Sequence, residues 1–539
     1  MSSWRLMTRQ GDYPRWVLTI AEVLREVFAV DGVIVGVPVE GRAAPLFPLG
    51  LAGLLDSARN AGACSLLRAG YARDLGHIED DARNALVCVA LTDARDFEQE
   101  DSIELRADGE PACHLAVVVE RALQRGSGSI DLEAIWRHRG RTDRLTWRCA
   151  LKDHSIARSV DAAAARLADL VGHIARRVGG QTSEVPRVGS SPVPDMPLAA
   201  ARGGNLGRAL RHMAHRLTAH DQWAFRVYQN LVPDHLWPTA GSQFIDFVPP
   251  IDKIWADPFV ARDGDLLWVF FEEDSIKSPK GCIVCVSIDA SGHCSEPVVV
   301  LEDSSHLSYP QVFKCDGKWY MLPESGARGD LVLYRARKFP FEWEPVADLL
   351  QQVRLADATL HRNHAGWWLT ASGVGQSGGS VCDESPYDMR LYDTLHVYHS
   401  SALTSGWQPM SLNPLRVDAA TSRPAGPWFQ WQGQWIRPVQ DCRGRYGRAV
   451  HLLAVESISM QGINERLLAT LGGGGRTNCV HTYSRVGGDL AIDWNVWRFR
   501  SDLFRSRVDP AFEFHRHDAV KSRRDDSAVE RAARPWRRL

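Results

Sequence analysis

Five short stretches of this chain share one design: a strand-forming run, a turn glycine, and an aromatic or aliphatic return run. They span 259–268, 312–320, 360–368, 429–435 and 483–490, with turn glycines at Gly264, Gly317, Gly366, Gly433 and Gly488. A glycine tolerates the positive φ that tight hairpin turns need, so each stretch is predicted to be a β-hairpin. The glycines recur at intervals of 49 to 67 residues, the period of a propeller blade. Further strand-like runs, such as 282–288 and 331–335, bring each step to about four strands, and five such blades can close a ring. The competing arrangements are a β-sandwich and a solenoid.

At 539 residues the chain has room for more than this ring. Residues 1–180 alternate helical and strand-like patterns, which predicts a small α/β domain. The expected fold class is therefore multi-domain, an α/β N-terminal domain followed by an all-β five-bladed β-propeller. Residues 181–236 read as a Pro/Ser/Gly/Ala-rich linker and one bracing amphipathic helix over 206–231. The propeller is assigned to 237–500. Residues 501–539 form a basic tail, read as disordered, with seven basic and three acidic side chains from Lys521 onward. Such a tail either stays solvated or meets an anionic membrane surface, where each basic residue is worth about 1 kcal/mol.

A net charge of −2 exerts no global pull toward nucleic acid, so none is expected as a partner. No run of 18 apolar residues is present and the first residues lack a secretory pattern. Eleven scattered cysteines in apolar runs suit buried thiols in a reducing compartment. A cytoplasmic location is the expectation. Cys282 and Cys285 have CxxC spacing without a second pair, the histidines have no ligand spacing, and neither a metal nor a cofactor is expected.

The first strand of each repeat begins with polar residues: Asp257-Pro258, Ser308-Tyr309-Pro310, Asp357-Ala358-Thr359, Arg423-Pro424 and Asn478 to His481. Innermost strands line a propeller's channel, so these positions are predicted to converge. An Asp buried at a strand start is costly unless paired, which makes Asp257 a candidate site residue. Trp255, Tyr309 and Trp428 beside the polar groups offer stacking faces. Sugars ask for that combination of directional hydrogen bonding and apolar faces. The loop 440–447, with Gln440, Asp441 and Tyr446, reads as a second ligand wall.

The motifs Trp-Ala-Asp-Pro-Phe (255–259), Ser-Tyr-Pro-Gln-Val-Phe (308–313), Met-Leu-Pro-Glu-Ser (321–325), Ser-Arg-Pro-Ala-Gly (422–426) and Arg-Pro-Val-Gln-Asp-Cys (437–442) resemble the propeller domain at the N-terminus of plant glucosamine inositolphosphorylceramide transferases and of bacterial relatives. The resemblance runs from about 237 to 498. More distantly the domain is similar to five-bladed propeller glycosidases of the arabinanase and invertase type. That similarity implies Asp257 as base or nucleophile, Asp357 as the second, pKa-tuning carboxylate and Glu324 as general acid. Trp255, Tyr309, Arg423, Arg437, Gln440, Asp441 and His481 are the expected substrate-binding residues. Residues 1–180 are weakly similar to formyltransferase-like domains; Asn84, His114 and Asp93 are candidates for that family's triplet but lack the motif's neighbours, which implies a degenerate domain.

Three functional readings follow. The first is transfer or cleavage of a glycosyl group in making a surface polysaccharide or glycolipid, with a carbohydrate or nucleotide-sugar ligand and a lipid-linked acceptor at a membrane surface. The second is a non-catalytic sugar-binding or scaffold module serving a glycosyltransferase. The third is a sugar-nucleotide formyltransferase.

Overall fold

The computed structural model describes residues 4–9, 15–28, 33–37, 87–90, 102–138, 141–152, 155–178, 187–190, 193 and isolated positions between 207 and 215. It then describes 217–499, apart from 240, 277–279, 326–327, 376–387, 411, 475–476 and 478, and finally 511–516. Five antiparallel sheets fill the second half. Sheet I holds Lys253–Asp263, Leu266–Ser275, Cys282–Ile288 and Val298–Leu301. Sheet II holds Ser308–Cys315, Lys318–Glu324, Asp330–Lys338 and Glu342–Gln351, and sheet III Arg354–Asn363, Gly366–Val374, Thr394–Ser400 and Gln408–Pro409. Sheet IV runs through Phe429–Trp431, Gln434–Asp441, Ala449–Ser459 and Gly462–Gly474. Sheet V orders Phe244–Phe247, Ala219–Tyr228, Asp489–Phe499 and Tyr483–Val486. Each predicted hairpin opens one sheet; the last turn takes its positive φ at Gly487 rather than Gly488.

Every sheet packs on two others through apolar clusters, and the adjacencies run in a cycle. Phe270, Met321 and Val332 join sheets I and II; Leu331, Leu333, Leu360 and Leu369 join II and III. Trp368, Leu395 and Ile463 join III and IV, Ile436, Val450, Tyr483 and Leu490 join IV and V, and Phe225, Val227, Val260 and Phe271 join V back to I. This cycle is consistent with a five-bladed β-propeller.

The expected bracing helix is helical at the described positions between 207 and 218, and sheet V corrects its second half. Residues 219–228 form a strand that pairs with Asp489–Phe499 from Ala219↔Phe499 to Tyr228↔Leu490. The helical apolar spacing that begins at 210 carries on past 218 as if the helix continued, but the aromatic and β-branched Trp223, Phe225 and Val227 recur every second residue and satisfy a sheet once its partner strand is present. The linker and tail are corrected in part too. Arg187–Ser190 pairs in parallel with Gly462–Gly474, and Ala511–Arg516 pairs antiparallel with the same strand.

In the N-terminal part, the described strands form a mixed sheet in the order Val33–Val37, Trp4–Arg9, Val87–Ala90, Ser102–Ala107, Ser129–His138, Arg141–Ala150. The helices Arg15–Phe28, Leu115–Gln124 and Ile156–Val178 pack their apolar stripes against it; in the last, Val160, Ala163, Ala164, Leu167, Leu170, Val171 and Ile174 are buried at helical spacing. Among the described residues no helix is long and apolar enough to cross a membrane.

This part is pressed onto sheets III and IV. The Gly128 carbonyl accepts from the amides of Gly444 and Leu151, each at 2.9 Å, and Ala419 N–H donates to Arg148 O at 2.8 Å. A Cβ on Gly128 would lie 2.4 Å from the backbone of Arg443 and Gly444. Gly128→Ala is therefore expected to wedge the two parts and cost about 1–3 kcal/mol, read as a lowered melting temperature.

Candidate functional site

Three opening strands break register at the same place. The irregularities fall between Ala256 and Phe259, Ser308 and Gln311, and Ala356 and Thr359. Inside each sits a residue at positive φ: Asp257 at 51°, Tyr309 at 45° and Asp357 at 53°. Such backbone costs about 1 kcal/mol or more for a non-glycine residue and persists only where surrounding bonds hold it. A bulge re-aims the side chain at its position, and here it does so in three successive sheets.

Asp357 is the centre of one cluster. Its Oδ2 accepts from Arg423 Nε at 2.5 Å and from Gln440 Nε2 at 2.6 Å, and its own N–H donates to Glu324 Oε2 at 2.8 Å. Arg423 also donates to Leu391 O at 2.7 Å, and its guanidinium lies 4.7 Å from the Tyr446 ring and 5.5 Å from that of Tyr392. Burial pushes the Glu324 carboxyl up to about 8; Asp357 and Asp257 add to the rise and Arg423 opposes it.

Asp257 is the centre of the other. Its Oδ1 accepts from the Thr482 hydroxyl at 2.9 Å and lies 3.5 Å from His481 Nε2, while its N–H donates to Asp493 Oδ2 at 3.2 Å. His481 Nδ1 meets Asp493 Oδ2 at 2.5 Å, and the ring stacks on Trp223 with centroids 4.0 Å apart. Asp493 is pinned in turn by the amides of His481 and Thr482. Burial lifts the Asp257 carboxyl to about 7 against the pull of His481, with Glu272, Asp357 and Asp493 adding to the rise. Burial pulls His481 the other way, yet Asp493 and Asp257 hold the imidazolium, raised to about 9.

Two clusters of possible ligand atoms lie within 4.8 Å, Asp257–His481–Asp493 and Glu272–Asp274–His306. In the first, three of the four carboxylate oxygens already accept protein N–H and O–H groups, and the side chains line up as carboxylate, imidazolium and carboxylate. Cys282 and Cys285 are free thiols. Three residues apart on one strand, they point to opposite faces, which removes the CxxC reading.

Four of the expected binding residues are used elsewhere. Tyr309 is fully buried: Gly426 N–H donates to its hydroxyl at 2.6 Å and that hydroxyl bonds Thr359 Oγ1 at 2.9 Å, tying sheets II and III to the 422–426 loop instead of offering a stacking face. Trp255 packs on Phe225 and Phe271 and donates its indole N–H to Glu273 at 2.8 Å. Arg437 and Asp441 fall on the face of Gln434–Asp441 opposite to Gln440, because side chains alternate along a strand. Arg437 is spent on Glu465 at 2.6 and 2.9 Å and on the Thr421 and Ser422 carbonyls. Asp441 is spent on Arg443, and with burial opposing, His451 and Arg443 hold it well below the usual carboxylate range. Trp428 is also packed away, stacked on His361.

The aromatic faces beside the carboxylates are instead those of Tyr392 and Tyr446. Tyr446 belongs to the ligand wall expected of the loop 440–447, whereas Tyr392, Asp493 and Trp223 were outside the expected set. Asp493 lies inside the apolar strand Asp489–Phe499, away from the strand start that singled out Asp257; Trp223 was hidden by the helical reading. Asn84 and Asp93 lie outside the described residues, and His114 ends a short turn with its Nδ1 3.9 Å from Glu110.

Comparison with known proteins matches residues 246–469 to the family described as glucosamine inositolphosphorylceramide transferase 1, N-terminal. The glucosamine inositolphosphorylceramide transferase 1 of Oryza sativa subsp. japonica is 33% identical over 231 residues, covering 42% of this chain and 29% of that protein. That of Arabidopsis thaliana is 31% identical over 213 residues, covering 39% and 26%. The chain thus spans less than a third of the length of these relatives. Among solved structures, a beta-xylosidase/alpha-arabinofuranosidase from a compost microbial metagenome aligns at 10% identity and TM-score 0.33, covering 46% of this chain and 90% of that one. A family 117 glycoside hydrolase of Zobellia galactanivorans aligns at 10% and 0.32, covering 51% and 90%. Over residues 246–469, then, the chain carries a domain similar to the N-terminal domain of glucosamine inositolphosphorylceramide transferase 1.

Proposed function

We propose that the five sheets close as a five-bladed propeller whose bulged opening strands form a carbohydrate site, and that this site transfers or cleaves a glycosyl group. The observation that carries the reading is the pair of carboxyls, buried Asp257 raised to about 7 and half-buried Glu324 to about 8, in one electrostatic cluster. Glycosyl chemistry needs one carboxyl that keeps its proton for the leaving oxygen and one that has lost it, to activate a hydroxyl or attack the anomeric carbon. Glu324 fits the acid and Asp257 the base or nucleophile. Asp357, clamped by Arg423 and Gln440, tunes Glu324 through its charge and its N–H. Tyr392 and Tyr446 supply rings for the sugar's C–H faces. Similarity to the transferase N-terminal domain supports a carbohydrate ligand, with a nucleotide sugar as donor and a lipid-linked acceptor at a membrane surface.

The test is a thermal-shift screen of nucleotide sugars, free sugars and glycosides, followed by product analysis on each hit. A ligand at 100 times its Kd adds about 2.7 kcal/mol, readily seen as a raised melting temperature. Binding without product would favour the non-catalytic module; no binding across the panel would sink the carbohydrate assignment. For a substrate that turns over, kcat/KM is expected to rise as pH passes about 7, where Asp257 loses its proton, and to fall past about 8, where Glu324 does. A profile flat across that window would remove these two groups from the chemistry.

A further inference from the structure

We infer that the N-terminal part is a component of the carboxylate site and not a separate module, with Arg166 on the helix Ile156–Val178 as the residue that positions Arg423 against Asp357. Arg166 is 1% exposed and is surrounded by three carboxylates. Asp169 lies on its own helix; Asp388 Oδ1 at 3.9 Å and Asp393 Oδ1 at 3.7 Å belong to the segment that leads into sheet III. Among the described residues the facing Arg166 Nε and Asp393 Oδ1 have no hydrogen-bond partner, so an electrostatic contact without a hydrogen bond spans the boundary between the two parts. Asp393 Oδ2 takes a second bond across it, from Ala150 N–H at 3.2 Å.

Asp388 precedes and Asp393 ends the short helix Arg390–Asp393, and this helix is what holds Arg423 from behind. The Leu391 carbonyl accepts from Arg423 Nη1 at 2.7 Å, and the Tyr392 ring lies 5.5 Å from the guanidinium. From Arg423 the chain of contacts continues to Asp357 Oδ2, and from Asp357 N–H to Glu324. A second route runs in parallel. Lys152 Nζ lies 4.1 Å from the centroid of the Tyr392 ring, and Lys152 bridges to Gly444, two residues before Tyr446, whose ring is the other cation–π partner of Arg423. Both routes start on the N-terminal part and end on the same guanidinium. With a guanidinium so placed, the protein holds its carboxylate geometry by packing instead of leaving a long side chain to find it.

Among the described residues, the charged and titratable groups that act on Glu324 include Asp257 from sheet I, Asp357 from sheet III, Arg423, Tyr446, and His306 ahead of sheet II. Of these, only Arg423 depends on Arg166 through the contacts just described. Loosening it withdraws a positive charge and should raise the Glu324 midpoint. The test uses the full chain and two mild variants, Arg166→Lys and Asp393→Asn, the second swapping a carboxyl already pushed up to about 7 for its amide. The readout is the protonated-carboxyl band in pH-difference infrared spectra, assigned by its loss in Glu324→Gln and measured without any sugar. The positioning role rests on the site proposed above, but this titration can fail or succeed whether or not a glycosyl group is ever transferred. The expected result is a cooperative melt with the Glu324 midpoint moved upward by on the order of one pH unit in both variants. A midpoint unmoved while the melting temperature falls would make Arg166 a purely structural residue, and loss of the fold in both variants would overturn the inference as well.

Discussion

Asp257→Asn is expected to lower turnover of the protein's sugar substrate by roughly a thousandfold while leaving its Kd within a few-fold of wild type. The amide matches the carboxyl in shape and still accepts the Thr482 hydroxyl bond. It removes a carboxyl that burial already disfavours as an anion, so the fold loses little. What it cannot do is take a proton or attack carbon. His481 would keep Asp493 at 2.5 Å but lose Asp257, and its midpoint should fall from about 9. Two measurements separate the outcomes: the thermal shift given by the bound sugar, and product formed per enzyme at saturating substrate. Retained binding with lost turnover places Asp257 in the chemistry. Retained turnover would leave it as a bond between sheets I and V, and the base would have to be sought elsewhere.

How far the sequence discloses this arrangement depends on the range of the contacts involved. The five hairpins are local objects: turn glycine, strand run and return run lie within a dozen residues, so their positions are legible without a fold. Repetition then carries information across the chain, because equivalent positions of a closed ring meet. Asp257 and Asp357 can be paired from their places in repeats one and three, whereas Glu324 is reached only through the resemblance to propeller glycosidases. Pairings between distant segments leave no such trace. Nothing in 219–228 announces that its partner is 489–499, and helical spacing won the reading for want of that partner. The same holds for 187–190 and 511–516. Register is the other gap. Gln440 and Asp441 are neighbours in sequence, yet one reaches Asp357 and the other Arg443, and only the strand's orientation decides which. Tyr392 reaches Arg423 on a segment anchored through Arg166 and Lys152, more than 200 residues away, and no local pattern encodes that.

Arg437 illustrates the cost of a buried charge assigned to the wrong partner. Glu465→Gln is expected to destabilise the protein by about 3–5 kcal/mol near neutral pH, because it leaves Arg416 and Arg437, both buried, without their shared carboxylate. Glu465 accepts from Arg437 Nε at 2.6 Å and Nη2 at 2.9 Å and from Arg416 Nη2 at 2.6 Å. Burial acts to raise this carboxyl, but the two guanidinium groups outweigh it and lower it from 4.5 to about 2. A depressed carboxyl stabilises the folded state fully above its ordinary value and loses that contribution as pH falls through its folded value, here between about 4.5 and 2. The contribution is on the order of 3 kcal/mol, of the same size as the expected mutational loss. Melting curves of wild type and variant from pH 7 to pH 2 give the check. The gap between them should be widest at neutral pH and should shrink toward pH 2, where about half of the wild-type carboxyl has become neutral and the amide mimics that form. A gap that stays constant across that range would mean that the Glu465 charge is not what holds Arg437, and the guanidinium would again be available to the site on the other face of its strand.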